Sequence, residues 1–344
     1  MSKKKIGIIG ATGYTGSELA RILLHHPEVE IAAITSESRK GERFSEVHPF
    51  FRGLIDQELI SINEIENMDL DLVFLALPHG VSMDFVKEHA ADPYPIIDLS
   101  GDFRLDTPEI YEAWYNKEHV YKEGFENAAY GIPELFRKDI RRKKLIANPG
   151  CYPTSAILGL APLAKEGLIE PNVVVDSKSG TTGAGVKAKA ATHFPNVNDN
   201  FRAYGVKSHR HTIEIEDTLN KIGDAPLTVQ FTPHLLPVDR GIVSTIYSRP
   251  RPGVDVSQIG DIYEAYYKDE PFVRLTDQPP AIKDVRGTNY CDIYSTYDER
   301  TNNFITISAI DNLVKGAAGQ AVQNMNLIFG WDEILGLQQV PMNP

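Results

Sequence analysis

The chain has 344 residues, 42% of them hydrophobic, and a formal net charge of −12. That length suits two domains with a core each, and an acidic balance without a basic block argues against a nucleic-acid surface or an anionic membrane face. Lys3, Lys4 and Lys5 precede only Ile6-Gly7-Ile8-Ile9, too short for a signal core, and no apolar stretch nears the length of a membrane span, so the chain reads as cytoplasmic. Cys151 and Cys291 lie far apart, which fits a reducing compartment better than a disulfide framework, and neither sits in a metal-ligand spacing.

Residues 5–9 read as a buried strand, and Gly10-Ala11-Thr12-Gly13-Tyr14-Thr15-Gly16 opens a helix over 17–24. Strand, loop and helix in that order form a dinucleotide turn, with glycines permitting a sharp bend, backbone approach to a pyrophosphate and close helix packing. Gly10, Thr12, Gly13, Tyr14, Thr15 and Gly16 are therefore candidate cofactor residues. The second strand, 29–34, runs into Thr35-Ser36-Glu37-Ser38-Arg39-Lys40. Ser36, Ser38 and Arg39 suit the 2′-phosphate of NADP, while Glu37 keeps NAD open and a solvated loop accounts for Lys40.

A turn-rich stretch over 41–67 precedes a strand at 70–77 ending in Pro78-His79-Gly80, then a helix over 81–89. Pro78 joins the cofactor set, because open parallel sheets bind ligands at their strand ends. His79 serves equally well as a packing residue. A strand at 95–99 leads to Ser100-Gly101-Asp102-Phe103-Arg104, where Arg104 either clamps an anionic substrate or pairs with Asp102. Residues 107–140 read as a helix plus a meander, and 145–147 as a strand.

That strand feeds Asn148-Pro149-Gly150-Cys151-Tyr152-Pro153-Thr154 and an apolar run over 155–160, which puts a thiol at a helix mouth. The positive end of the helix can lower a thiol pKa from about 8.5 toward neutrality. A buried cysteine acting as a small hydrophobe is the alternative, and the Pro-Gly-Cys-Pro punctuation argues against it.

Beyond this helix, strands at 172–179, 226–233, 241–249 and 303–310 point to an antiparallel or mixed sheet. Ser179-Gly180-Thr181-Thr182-Gly183-Ala184-Gly185 is a second glycine-rich loop, read as a mobile lining of the cleft. In Ser208-His209-Arg210-His211 the two histidines stand too close for a zinc pair on a helix, so one acid/base group with an orienting neighbour is the better account; solvated helix-cap histidines are the alternative. A helix over 312–329 returns to the nucleotide domain.

The stretches 10–19, 98–104, 130–135, 148–154, 179–185, 209–215, 233–242 and 312–330 carry a resemblance to the N-acetyl-gamma-glutamyl-phosphate reductases of the aspartate-semialdehyde dehydrogenase-like superfamily. The resemblance implies an α/β chain: a Rossmann domain over 1–150, completed by 312–344, and an α+β substrate and oligomerisation domain with a mixed sheet over 151–311. It implies NADP as cofactor, Cys151 as the nucleophile that carries a thioester, and His211 as its acid/base. Arg104, His209 and Arg240 are then substrate contacts, and Ser179, Gly180, Gly183 and Asn324 join the cofactor set. The implied reaction is reduction of an acyl phosphate to a semialdehyde plus phosphate in arginine biosynthesis, by a homotetramer or dimer. Ile213 departs from the family, which often has proline there. Carrier-bound aminoadipyl phosphate or aspartyl phosphate would use the same Cys and His with another pocket. A redox-sensing NADP-binding regulator would instead need a partner surface or a DNA-binding module, and the sequence offers neither.

Overall fold

The computed structural model describes residues 2–343 and divides into two compact units. One runs to Pro149 and takes back Ala317–Gln338; the other is Gly150–Gly316 with the residues from Gln339 on. The C-terminal return is thus shorter than 312–344. Asp311 explains its start, because the carboxylate holds the Leu313 and Val314 amides in the second unit at 2.8 and 3.2 Å. The tail is tied to the same unit by Met342 N–H donating to Arg286 O at 3.0 Å.

In the first unit, strands β1 (Lys4–Ile9), β2 (Val29–Ile34), β3 (Leu72–Leu75), β4 (Ile96–Asp98), β5 (Ala128–Tyr130) and β6 (Leu145–Ala147) form a parallel sheet in the order β2-β1-β3-β4-β6-β5. Ile6, Ile8 and Ile9 of β1 and all of Leu72, Val73, Phe74 and Leu75 are buried, as strands covered on both faces require. Helix α1 (Tyr14–Leu23) begins three residues before the expected start because Gly13 takes the cap position in extended conformation. Helices α2 (Ser82–Glu88), α3 (Pro108–Tyr115) and α4 (Pro133–Ile140) follow, the last two opened by a proline at no hydrogen-bond cost. The C-terminal helix Gly319–Phe329 packs into this unit, where Asn324 Nδ2 donates to Gly131 O and Asn148 Oδ1 at 3.0 and 3.1 Å.

The second unit opens with α5 (Cys151–Lys165) and continues through β7 (Ile169–Ser179), β8 (Arg202–Ala203), α6 (His211–Ile222), β9 (Thr228–Leu235), β10 (Ile242–Pro250), α7 (Ile259–Tyr267), β11 (Val273–Leu275), β12 (Cys291–Asp298) and β13 (Asn303–Ile310). The seven strands form a mixed sheet in the order β11-β12-β13-β10-β7-β9-β8. β7 pairs parallel with β9 and β11 with β12, and the other pairs are antiparallel.

Helix α5 is held by side chains that sequence periodicity does not reveal. Pro162 has no N–H to give Leu158 O, and Tyr267 Oη supplies that carbonyl at 2.5 Å. Tyr263 Oη donates to Gly159 O at 2.6 Å and Ser308 Oγ to Ser155 O at 2.8 Å. A chain of buried hydroxyls, Ser308 to Ser155 to Ser244 to Ser177 at 2.7–2.9 Å, seats the helix on the sheet with every polar group paired.

Candidate active site

In the first unit the glycine loop closes tightly on its neighbours and leaves a helix start uncapped. Gly10 has φ +85°, and a Cβ there would sit 2.8 Å from Ala76 O, so the loop closes on the end of β3. At Gly16 a Cβ would meet Ala11 Cα at 2.5 Å, which demands glycine where helix and loop cross. Gly13 has open space on its bare side, and the cap of α1 receives no side-chain hydrogen bond. Free first-turn amides facing open space are what a pyrophosphate takes. Thr12 Oγ1 lies 3.3 Å from Ser36 Oγ, joining the loop to the end of β2.

Beyond Ser36 the charged residues are partly committed. Glu37 Oε1 accepts from Ile62 N–H at 2.7 Å, while exposed Arg39 pairs with Glu42 at 3.1 Å and Lys40 with Glu64 at 2.6 Å. Ser38 is exposed beside them. Asn324 keeps its buried Oδ1 without an internal partner, an acceptor that fits a carboxamide N–H₂.

Pro78 begins a turn gripped by Asp102. That carboxylate accepts from Gly80 N–H at 2.8 and 2.9 Å, Met83 N–H at 3.1 Å and Tyr111 Oη at 3.0 Å. His79 Nδ1 accepts from Gly101 N–H at 2.7 Å, a structural use. Asp102 is therefore not the partner of Arg104, whose Nε and Nη2 donate to Asn148 O and Leu99 O, both at 2.7 Å. Burial and the nearby Asp102 push Asp98 up to about 6.

In the second unit Cys151 is the first residue of α5, half-buried, with Gly150 as the cap. Pro153 stands third in the helix and displaces no hydrogen bond because first-turn amides have no intrahelical acceptor. His211 opens α6 in the same way. Glu214, 1% exposed, joins the two helix mouths: Oε1 accepts from Gly150 N–H at 2.8 Å, and Oε2 lies 4.0 Å from His211 Nε2. Two helix N-termini stabilise that buried carboxylate.

Tyr152 stacks edge-on to His209 and His211, with ring centroids at 5.7 and 5.9 Å, and its Oη lies 3.0 Å from Tyr204 Oη. Burial raises both phenols, Tyr204 to about 12. His209 is pushed down to about 4, first by burial and then by Arg210. Its Nδ1 accepts from His211 N–H at 3.1 Å, so His209 is a neutral ring at pH 7 that carries its proton on Nε2.

The second glycine loop is not a mobile lining. Gly180 N–H donates to Gly241 O, Thr181 N–H to Val238 O and Thr182 N–H to Asp239 O at 2.9–3.2 Å. A Cβ at Gly180 would meet Asp239 O at 2.7 Å and Arg240 N at 2.8 Å. Ser179 is buried with Oγ donating to Gly180 O, and Gly183 lies over that hydroxyl. Arg240 forms an ion pair with the fully buried Asp311 at 3.2 Å. Asp311 and Tyr204 carry no motif that marks them in the sequence; Glu214 does, through its three-residue helical spacing from His211.

Residues 5–143 match the semialdehyde dehydrogenase NAD binding domain and 151–312 the semialdehyde dehydrogenase dimerisation domain. The N-acetyl-gamma-glutamyl-phosphate reductase of Desulfotalea psychrophila is 51% identical over 99% of both chains, and that of Methanococcus maripaludis 48% identical over 99% of this chain and all of the relative. Aspartate semialdehyde dehydrogenase II of Vibrio cholerae superposes with a TM-score of 0.74 at 18% identity, covering 96% of this chain and 99% of that one. An NADP-containing aspartate semialdehyde dehydrogenase from Candida albicans gives 0.72 at 17% identity over 95% and 99%. The solved structures establish the fold, and the near full-length identity to the reductases goes further: the chain belongs to the N-acetyl-gamma-glutamyl-phosphate reductase family.

Proposed function

We infer that the chain catalyses NADPH-dependent reduction of N-acetyl-gamma-glutamyl phosphate to N-acetylglutamate semialdehyde and phosphate, the reaction for which its close relatives are named. The observation that carries the mechanism is a cysteine at the mouth of α5 whose cap amide and whose companion His211 share one buried carboxylate, Glu214. His211 takes the proton from Cys151 Sγ, and the thiolate attacks the gamma-carbonyl carbon. The C–O bond to phosphate breaks, the leaving oxygen receives the proton from His211, and a thioester remains on Cys151. NADPH, when bound, supplies the hydride that brings the acyl carbon to the aldehyde level. Collapse of the resulting alkoxide then frees the Cys151 thiolate, which regains a proton from solvent. Gly10, Thr12, Gly13, Tyr14, Thr15, Gly16, Pro78 and Asn324 are the proposed cofactor residues of the first unit, with Ser36, Ser38 and Arg39 at the 2′-phosphate. Ser179, Gly180 and Gly183 are proposed as further contacts from the second unit, and Arg104, His209 and Arg240 as substrate contacts.

The proposed assembly is a homodimer or homotetramer. Supporting it, Tyr247 of β10 stands between Val174 and Ile305 on a half-exposed sheet face, an apolar row suited to a second copy. Among the described residues no helix is long and apolar enough to cross a membrane, and Cys151 and Cys291 stand outside any disulfide, which supports work in the cytoplasm. The test runs the reaction backwards: phosphate-dependent reduction of NADP with a panel of semialdehydes. N-acetylglutamate semialdehyde should give the highest kcat/KM; a higher value for aspartate semialdehyde would move the substrate assignment while leaving the Cys151 chemistry intact.

A further inference from the structure

Gly316, which ends the run Gly150–Gly316 of the second unit, lies against Cys151. Val314–Ala318 is a π-helical turn, a wide turn that recurs where helices serve a site. Asp311 holds it in place: Oδ1 accepts from Leu313 and Val314 N–H, Oδ2 accepts from Gly287 N–H at 2.7 Å, and Asp311 O accepts from Gly316 N–H at 3.0 Å. A Cβ added at Gly316 would lie 2.8 Å from Cys151 Cβ and 3.1 Å from Cys151 Cα. Neither of those atoms is the flexible end of a side chain. Both belong to the start of α5, which the Tyr263, Tyr267 and Ser308 hydroxyls and the Gly150–Glu214 hydrogen bond hold in place.

We propose that Gly316 is a positioning residue for Cys151: its bare Cα, fixed by the Asp311-held π-turn, is the wall that sets where the thiol-bearing carbon stands. The proposal rests on the reading of Cys151 as nucleophile. A methyl at 316 must displace either the π-turn or the first residue of α5, and displacements approaching an ångström at a reacting group cost on the order of a hundredfold in rate.

The experiment compares full-length Gly316→Ala, Gly159→Ala and Cys151→Ser. Gly159 is a suitable control because its added Cβ would crowd the Ile246 side chain at 2.8 Å on the same helix, away from the thiol. The readouts are kcat and KM, the iodoacetamide rate at Cys151 against pH, and NADPH binding by fluorescence. Gly316→Ala should lower kcat by roughly ten- to a hundredfold and shift the pH profile of Cys151 alkylation, with NADPH affinity within about twofold. Gly159→Ala should leave the alkylation profile in place. Wild-type kcat and alkylation in Gly316→Ala, or the same profile shift in both glycine variants, would overturn the proposal. If Gly316→Ala does not fold, Asp311→Asn decides: it loosens the turn without adding an atom, and an unchanged alkylation profile there overturns the proposal equally. Cys151→Ser separates the two readings, since turnover surviving in that variant removes the nucleophile itself, whereas a dead Cys151→Ser beside a normal Gly316→Ala removes only the positioning role.

Discussion

The two glycine-rich loops look alike as strings and are used in opposite ways. In the loop from Gly10 to Gly16 the middle glycine faces open space at the uncapped start of a ten-residue helix. In the loop from Ser179 to Gly185 the leading glycine faces backbone, zipped onto 238–241, and only a 3-10 turn, Thr181–Ala184, follows it. In one loop the missing side chain leaves open space, in the other it lets two backbones meet. The lesson is that a glycine's meaning lies in what its missing Cβ would have touched, and that is a property of packing rather than of spacing.

The sharpest way to break that comparison is to add the missing Cβ to each loop. Gly180→Ala should be the more damaging to the fold, lowering stability by about 1–3 kcal/mol through overpacking, and should weaken NADPH less than Gly13→Ala does in the folded fraction. Gly13→Ala should leave the thermal midpoint in place and weaken NADPH by roughly tenfold, because a methyl occupies space a phosphate needs. Thermal unfolding and cofactor titration of both variants check this, and a Gly180→Ala that keeps its stability but loses more NADPH affinity than Gly13→Ala would contradict the packing role of Gly180. A smaller effect is expected at the end of β2: Arg39→Ala should reduce the preference for NADPH over NADH by roughly tenfold, the low end for a charge-assisted contact, because Glu42 already competes for the guanidinium. Equal losses for both cofactors would give Arg39 another role.

The smallest effect concerns His209. With its pKa near 4 in the fold, it stays neutral from pH 5 to 8, so His209→Gln should leave the position of the kcat/KM limbs in that window unmoved even if KM rises. The sign for stability follows from linkage: the unfolded ring takes a proton below about 6.5 and the folded ring only near 4, so wild type loses stability as pH falls through that window and His209→Gln loses less.

The parallel sheet was legible because its strands are continuous apolar runs between glycine and proline punctuation, as at 5–9 and 145–147. β12 was not, since Cys291–Asp298 carries polar residues on a half-exposed face and gives no apolar run. The glycine turn before α1 and the helix starts near Cys151 and His211 were legible as local patterns. What joins them was not: Glu214 reaches Gly150 across 64 positions, Asp102 reaches Gly80 across 22, and Gly316 meets Cys151 only through the fold. Arg104 shows the limit from the other side, for a sequence neighbour as cheap as Asp102 loses it to two carbonyls that the sheet brings near.

The central claim is that Cys151 carries the acyl group, and intact-mass spectrometry tests it most directly. Enzyme mixed with N-acetyl-gamma-glutamyl phosphate in the absence of NADPH should release phosphate, gain the mass of one N-acetylglutamyl group on the peptide containing Cys151, and lose it when NADPH is added. Cys151→Ser should show neither the hydroxylamine-labile adduct nor turnover while still binding NADPH. An unmodified Cys151 peptide in an enzyme that turns over, or a serine variant that retains substantial activity, would contradict the account.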